Sequence, residues 1–342
     1  MVQTKNYAQV LPKIGVARRG LLSEVEIKSL SESKSLSDFV AQLRGSDYQE
    51  QISKLVAPFT PKKLERVFNE NLVNTYLLLI KNLPKNVRPF FELYLERLQI
   101  EHIKMLLKAT LAKMSFEEKL AKIYLSVKNY FHDSSVIEEA AKASIVSNVV
   151  SVFKRTPYYT SLNEGLKKYD ETGHTIYFDL LLDRQYFDKY YSVYKKLPKK
   201  EQPYAKFYAS LNVDGFLLFT ILRGKTLGYD PDWLKVALPD NYFNISEHTL
   251  ISLIYAIDYD AALKIITTST EYKTYFTQTG TPEKTISHAE KAFKNALIQH
   301  AKSRVFIDVF NIGAPLSFIT LKEANIHNLT TAAINIYNNT KN

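Results

Sequence analysis

Cysteine is absent from the chain. That removes disulfides, zinc fingers, iron–sulfur ligation and thiol nucleophiles together. Glycine is scarce, with 10 residues in 342, and a chain so poor in glycine makes few tight hairpin turns, which argues against a β-sandwich or barrel. Long hydrophobic runs are missing as well. The most apolar stretches, Leu77–Ile80 and Phe216–Leu222, fall far short of the roughly 20 apolar residues that span a bilayer. No unbroken apolar run near the start reads as a secretory signal. No lipidation motif is visible: Val2 follows Met1 where a myristoylated glycine would stand, and cysteine is missing. The expectation is a protein that sits on a membrane at most and does not cross one.

Catalytic signatures are missing too. There is no GxxxxGK[ST] loop to cradle a phosphate, no GxGxxG after a strand, no HExxH and no GxSxG elbow. The seven histidines, from His102 to His327, are dispersed. Asp179 and Asp183 stand four apart, half of a metal site on one helix face, but no histidine or second acidic pair accompanies them and Arg184 and Lys189 are close by. The chain therefore reads as non-enzymatic, without cofactor or small-molecule substrate.

What the chain does have is apolar residues, 46% of the total, and an excess of positive charge: 45 Lys and Arg against 35 Asp and Glu, net +10. The excess favours an acidic partner, whether nucleic acid, an anionic membrane surface or an acidic protein, and is also what a solvated lysine-rich surface looks like. Basic residues cluster at Arg18-Arg19, Lys62-Lys63 and Lys195-Lys196-Leu197-Pro198-Lys199-Lys200. Cations at a helix C-terminus are favoured by the dipole, so a structural reading is enough. The functional reading makes Arg18, Arg19, Lys195, Lys196, Lys199 and Lys200 an interface for acidic groups. Among the 23 tyrosines, Tyr186, Tyr190 and Tyr194 have the spacing of a helix–helix seam rather than of a base-stacking platform.

Helix starts are frequent. Ser23…Glu26 and Ser115…Glu118 read as capping boxes, and Thr60-Pro61, Asp230-Pro231 and Thr281-Pro282 put a capping side chain before a proline at the first helical position. Apolar spacing after them is helical: Leu64, Val67, Phe68, Tyr76, Leu77 and Ile80, then Leu120, Ile123, Tyr124, Val127, Tyr130 and Phe131. The one Asp-Gly, Asp214-Gly215, lies inside an apolar helical run and is a poor hairpin candidate. The fold class is all-α.

A repeat organises these helices. Leu98–Ile103, Leu211–Phe216 and Ala324–Leu329 align, with Gln99, Asn212 and Asn325 in the same place, 113 residues apart in both steps. Each amide is a candidate helix cap. Leu83-Pro84 and Leu197-Pro198 end helical runs, and a Ser/Thr-x-Tyr step recurs as Ser46-Asp47-Tyr48, Thr156-Pro157-Tyr158 and Thr270-Glu271-Tyr272, each ahead of a more polar stretch read as a loop. Three tandem helical domains follow, 1–115, 116–228 and 229–342.

Four stretches resemble a known family: Val16-Ala17-Arg18-Arg19-Gly20-Leu21-Leu22, Leu182-Asp183-Arg184-Gln185-Tyr186-Phe187, the recurring step Gln99–Ile103, Asn212–Phe216 and Asn325–Leu329, and Pro315-Leu316-Ser317-Phe318-Ile319-Thr320-Leu321-Lys322-Glu323. The chain is similar throughout to the C subunit of archaeal A-type ATP synthases and the related d subunit of vacuolar ATPases. It departs from that pattern where Gln99 replaces an acid and where His102 and Gly215 replace asparagine. The resemblance implies a non-catalytic rotor part: a funnel of three helical domains, one copy per complex, peripheral on the cytoplasmic face of the membrane. Its partners would be the proteolipid ring and the central-stalk subunits, with no nucleic acid. The alternatives from composition are a basic all-helical nucleic-acid-binding protein, which needs its cations gathered on one face, and a helical scaffold.

Overall fold

A computed structural model describes residues 7–123 and 134–340. The five helix starts are built as the sequence predicts. Ser23 accepts from the Glu26 amide while the Glu26 carboxylate accepts from the Ser23 amide, and Ser115 and Glu118 do the same. Thr60, Asp230 and Thr281 each accept from the amide three residues on, ahead of a proline.

The first run of helices is α1 (Leu11–Arg19), α2 (Glu24–Ser31), α3 (Leu36–Gln42), α4 (Gln49–Ile52) and the long α5 (Pro61–Asn82) and α6 (Arg88–Leu111). The second is α7 (Phe116–Leu120), α8 (Ser134–Lys142), α9 (Val146–Val152), a 3-10 turn, α10 (Tyr159–Thr172) and the long α11 (Ile176–Lys196) and α12 (Gln202–Thr226). The third is α13 (Pro231–Ala237), α14 (Glu247–Ile254), α15 (Tyr259–Ser269), a 3-10 turn and the long α16 (Pro282–Arg304) and α17 (Gly313–Asn339). No strand occurs among the described residues. Leu83-Pro84 and Leu197-Pro198 end α5 and α11. Part of the apolar face expected after Ser115, namely Tyr124, Val127, Tyr130 and Phe131, lies outside the described residues.

The order of short helices, Ser/Thr-x-Tyr turn and two long helices thus occurs three times, and the turn is built alike each time. The Ser46 hydroxyl donates to the Leu43 carbonyl (2.6 Å) and accepts from the Tyr48 amide (3.2 Å). Thr156 does so with Phe153 and Tyr158 (2.8 and 3.3 Å), and Thr270 with Ile266 and Tyr272 (2.8 and 3.2 Å). A hydroxyl that bonds the backbone on both sides competes with helix continuation and stops the short helix. The tyrosine two residues on is buried in all three cases. A helical segment, not the expected polar loop, follows each one.

Two compact units contain these elements, one formed by the chain up to Leu95 together with the part from His300 onward, the other by Glu96–Leu120 and Ser135–Gln299. In the first, α17 packs against α5, α2, α1 and α3. Lys322 of α17, 1% exposed, donates to the Asp47 carboxylate (2.6 Å) and lies 4.5 Å from the centre of the Tyr48 ring. Asn71 Nδ2 donates to the Asp47 carbonyl (2.9 Å). Tyr76 donates to the Glu323 carboxylate, and Asn325 Nδ2 to the Leu22 carbonyl (2.7 Å).

In the second unit the core gathers Leu217, Leu218, Ile221 and Leu222 of α12 with Leu253, Ile266 and Phe293. Phe293 meets Phe219 and Tyr272 at centroid distances of 5.1 and 5.4 Å. A Cβ at Gly215 would stand 3.1 Å from the Phe293 ring, so the missing side chain lets α16 approach. Asp214-Gly215 is inside α12, as its apolar surroundings predict. By length and composition α12 could cross a membrane, but 78% of its apolar stretch is buried within the protein, and it is the core helix of its unit. Tyr186, Tyr190 and Tyr194 are buried along α11 and form the expected seam.

The first unit generates an asymmetric expectation. Asp47→Ala leaves the Lys322 ammonium buried without its counter-charge and costs about 3–5 kcal/mol. Lys322→Met fills a similar volume and leaves Asp47, whose side chain is 36% exposed, able to hydrate; it costs about 1 kcal/mol or less. Urea unfolding of the two variants checks the order.

Candidate functional site

Gln99, Asn212 and Asn325 lie on α6, α12 and α17, the last long helix of each run. None caps a helix, contrary to the sequence expectation. All three sit well inside a helix, where backbone amides already have partners and the side chain is free to reach another element. Gln99 Oε1 accepts from the Tyr158 hydroxyl (2.6 Å). Asn212 Nδ2 instead turns back to the Tyr208 carbonyl of its own helix (2.7 Å). Asp214, two residues further on, takes the corresponding tyrosine: it accepts from the Tyr272 hydroxyl (2.5 Å) and from the amides of Phe243 and Asn244 (2.7 and 2.8 Å). Two residues along a helix is roughly 200° of rotation, so Asn212 and Asp214 cannot face the same element. Burial pushes the Asp214 carboxyl up from its ordinary range, and the three donors oppose that push. In the first unit Tyr48 is engaged through its ring, by Lys322, and its hydroxyl has no acceptor among the described residues.

A row of ion pairs links α6 to α11. Lys104 meets Asp183 (2.5 Å) and Glu101 (3.0 Å), Lys108 meets Asp179 (2.7 Å), and Glu96 meets Lys189 (2.6 Å). Asp179 and Asp183 each therefore face a lysine of α6. Among the described residues no three His, Asp or Glu side chains converge as a metal site. Burial raises the Asp183 carboxyl to about 6, against the pull of Lys104. Burial also works against the charge on Lys104, but Asp183 and Glu101 outweigh it and hold its pKa up. Two further lysines close helix ends: Lys119 Nζ donates to the Ala143 carbonyl beyond α8 (2.6 Å) and Lys225 Nζ to the Ile254 carbonyl of α14 (2.7 Å).

The basic candidates fall into separate groups. Arg18 and Arg19 end α1 in the first unit; the Arg18 guanidinium lies 4.1 Å from the centre of the Phe306 ring, and Arg19 is exposed. Lys195 and Lys196 end α11, and Lys199 and Lys200 occupy the turn before α12; all four are exposed. Gln202 ties that turn together by donating to the Lys195 and Leu197 carbonyls (3.1 and 3.0 Å). Lys195 Nζ lies 5.5 Å from the Tyr191 ring centre. Arg18 is half-buried and the other five are exposed.

Residues 10–342 match the family described as ATP synthase (C/AC39) subunit. The chain belongs to that family. It is 26% identical to the C subunit of the A-type ATP synthase from Thermococcus kodakarensis, over 90% of this chain and 80% of the relative. It is 24% identical to the same subunit of Thermococcus onnurineus, over 96% and 85%, and to that of Methanocaldococcus jannaschii, over 94% and 81%. A member of this family is a structural, non-catalytic part of an ATP synthase, a membrane-associated complex. The polar contacts above accordingly hold the family member's helices together. The Ser/Thr-x-Tyr steps are visible in the sequence, but nothing local marks their tyrosines as the contacts. The pairing of Lys322 with Asp47 carries no local sequence signal, because the two are 275 residues apart.

Titration of Asp183 offers a test. A carboxyl raised from 3.8 to about 6 is held protonated more readily in the folded chain. Its stabilising contribution is full below about pH 4 and is lost as pH rises through about 6. The difference in stability between the wild type and Asp183→Asn should slope across pH 4–6 and flatten above it. Denaturant melts in a pH series measure this, and a flat difference contradicts the assignment.

Proposed function

We propose that this chain is the rotor adaptor of an A/V-type ATP synthase, joining the central stalk to the membrane proteolipid ring so that torque passes between them. The three helical runs, taken as domains 1–115, 116–228 and 229–342, would form a closed funnel-like body, one copy per complex, peripheral on the cytoplasmic face. The observation that carries this reading is the family match along residues 10–342. The recurring turn supports it. A part under torsional load needs stiffness more than chemistry, and tightly packed helices with buried polar ties have low compressibility. The candidate docking cations are Arg18 and Arg19 in the first unit and Lys195, Lys196, Lys199 and Lys200 in the second. Exposed charge pairs contribute about 0–1 kcal/mol each and are screened by salt, so docking rests on apolar contact while charge sets rate and orientation.

Binding of the purified chain to ring-containing proteoliposomes and to plain anionic liposomes, across a salt series, tests this. The expected result is binding to the ring-containing vesicles alone at high salt. Charge reversal at Lys195, Lys196, Lys199 and Lys200 should slow association about tenfold at low salt and little at high salt. Equal, tight binding to both vesicle types at high salt contradicts a protein socket.

A further inference from the structure

The connectors that lead into the last long helix of each run differ in what they present to solvent. Between α5 and α6 the exposed residues are Lys85 and Asn86, and between α11 and α12 they are Lys199 and Lys200, with Leu83, Val87 and Leu197 turned inward. Between α16 and α17 the exposed residues are Phe306 (68%), Ile307 (66%) and Phe310 (47%). Left in water, these side chains forgo the hydrophobic stabilisation that burial would give.

This connector is not a loose loop. The amides of Ile307 and Asp308 both bond to the Arg304 carbonyl (2.9 and 3.0 Å), and the Gly313 amide bonds to the Asn311 side chain (2.7 Å). Asp308 and Asn311 are buried. Gly313 is required beneath them, since a Cβ there would lie 2.6 Å from Asp308 Cβ. The buried polar side chains therefore fix a backbone that holds the two phenylalanines and the isoleucine outward. Exposed apolar anchors on a pre-organised backbone are the arrangement of a docking surface, because little ordering entropy is left to lose on binding.

The charge around the anchors identifies the partner's chemistry. Arg18 stacks on Phe306 at 4.1 Å, and Arg19 and Arg304 are exposed on α1 and α16, next to these two residues in sequence. The carboxylate within the connector, Asp308, is buried, and Glu24 is already paired with Lys302 (2.6 Å). The anchors are thus bordered by arginines that form no ion pair among the described residues.

We propose that Phe306, Ile307 and Phe310, bordered by Arg18, Arg19 and Arg304, dock an apolar protein surface edged with carboxylates on another subunit of the same complex. This rests on the adaptor reading and names one of its contact surfaces. The surface takes up a protein face rather than lipid: three side chains on a short fixed connector match a pocket-and-rim contact, in which arginine forks recognise carboxylates.

The native chain lacks cysteine, so a single Ile307→Cys carries a unique label. Labelled with a benzophenone maleimide, reassembled with complex isolated without this chain, and irradiated, it should cross-link to one other subunit. In parallel, the Phe306→Ser/Phe310→Ser double variant should bind that complex about tenfold or more weakly than the wild type. Arg18→Glu/Arg304→Glu should bind more weakly at low salt and recover at high salt. The substituted positions are exposed, or nearly so, and circular dichroism melts should match the wild type.

Wild-type affinity of the serine variant, or cross-links only to lipid or to a second copy of this chain, overturns the docking proposal while leaving the adaptor reading in place. Failure of the wild type itself to join the complex removes both.

Discussion

Burying a tyrosine next to a backbone that has just left a helix sets the constraint on which the rest of this fold depends. The Ser/Thr-x-Tyr turn stops a short helix by giving its last carbonyls a hydroxyl partner, and it turns the tyrosine inward. The buried ring then needs a partner on another element, and an unmade hydrogen bond there costs about 1–3 kcal/mol. In the second unit the partner is Gln99 for Tyr158 and Asp214 for Tyr272, each on the last long helix of the preceding run. In the first unit α17 supplies Lys322 to Tyr48 and Asp47. One local motif thus fastens each group of short helices to a long helix, by three different side-chain chemistries.

Much of this was legible in the sequence. The capping boxes, the proline-led starts and the Leu-Pro stops depend on residues within four positions of one another, and all were built as read. The seam of Tyr186, Tyr190 and Tyr194 followed from helical spacing alone. What the sequence could not give was which side of a helix faces which neighbour. Aligning Asn212 with Gln99 respects the 113-residue spacing, yet Asp214 is the residue that meets the tyrosine, because α12 meets its neighbour at a different rotation. The pairing of Asp47 with Lys322 is a long-range contact with no local signal. The exposed connector at Phe306–Phe310 lies just ahead of the Pro315–Glu323 segment that carries the family resemblance, and read as a string it looks like buried core.

Polar groups in this chain serve mechanics. The α6–α11 ion pairs, the lysines at the ends of α8 and α14, and the tyrosine contacts place charged or hydrogen-bonded partners between separate helical segments. Buried polar ties contribute modestly to net stability, since desolvation offsets much of the attraction. They are costly to break singly, which makes the packed arrangement resistant to sliding. That property suits a structural, non-catalytic part of an ATP synthase.

The location of the chain within the intact complex tests the adaptor role most directly. An electron cryomicroscopy map of the native assembly, purified through a tag on this chain, would reveal it. A rotor adaptor should appear as one copy between the proteolipid ring and the central stalk, turning with them. Density for the chain on the stationary peripheral stalk, or in several copies around the head, would contradict that role.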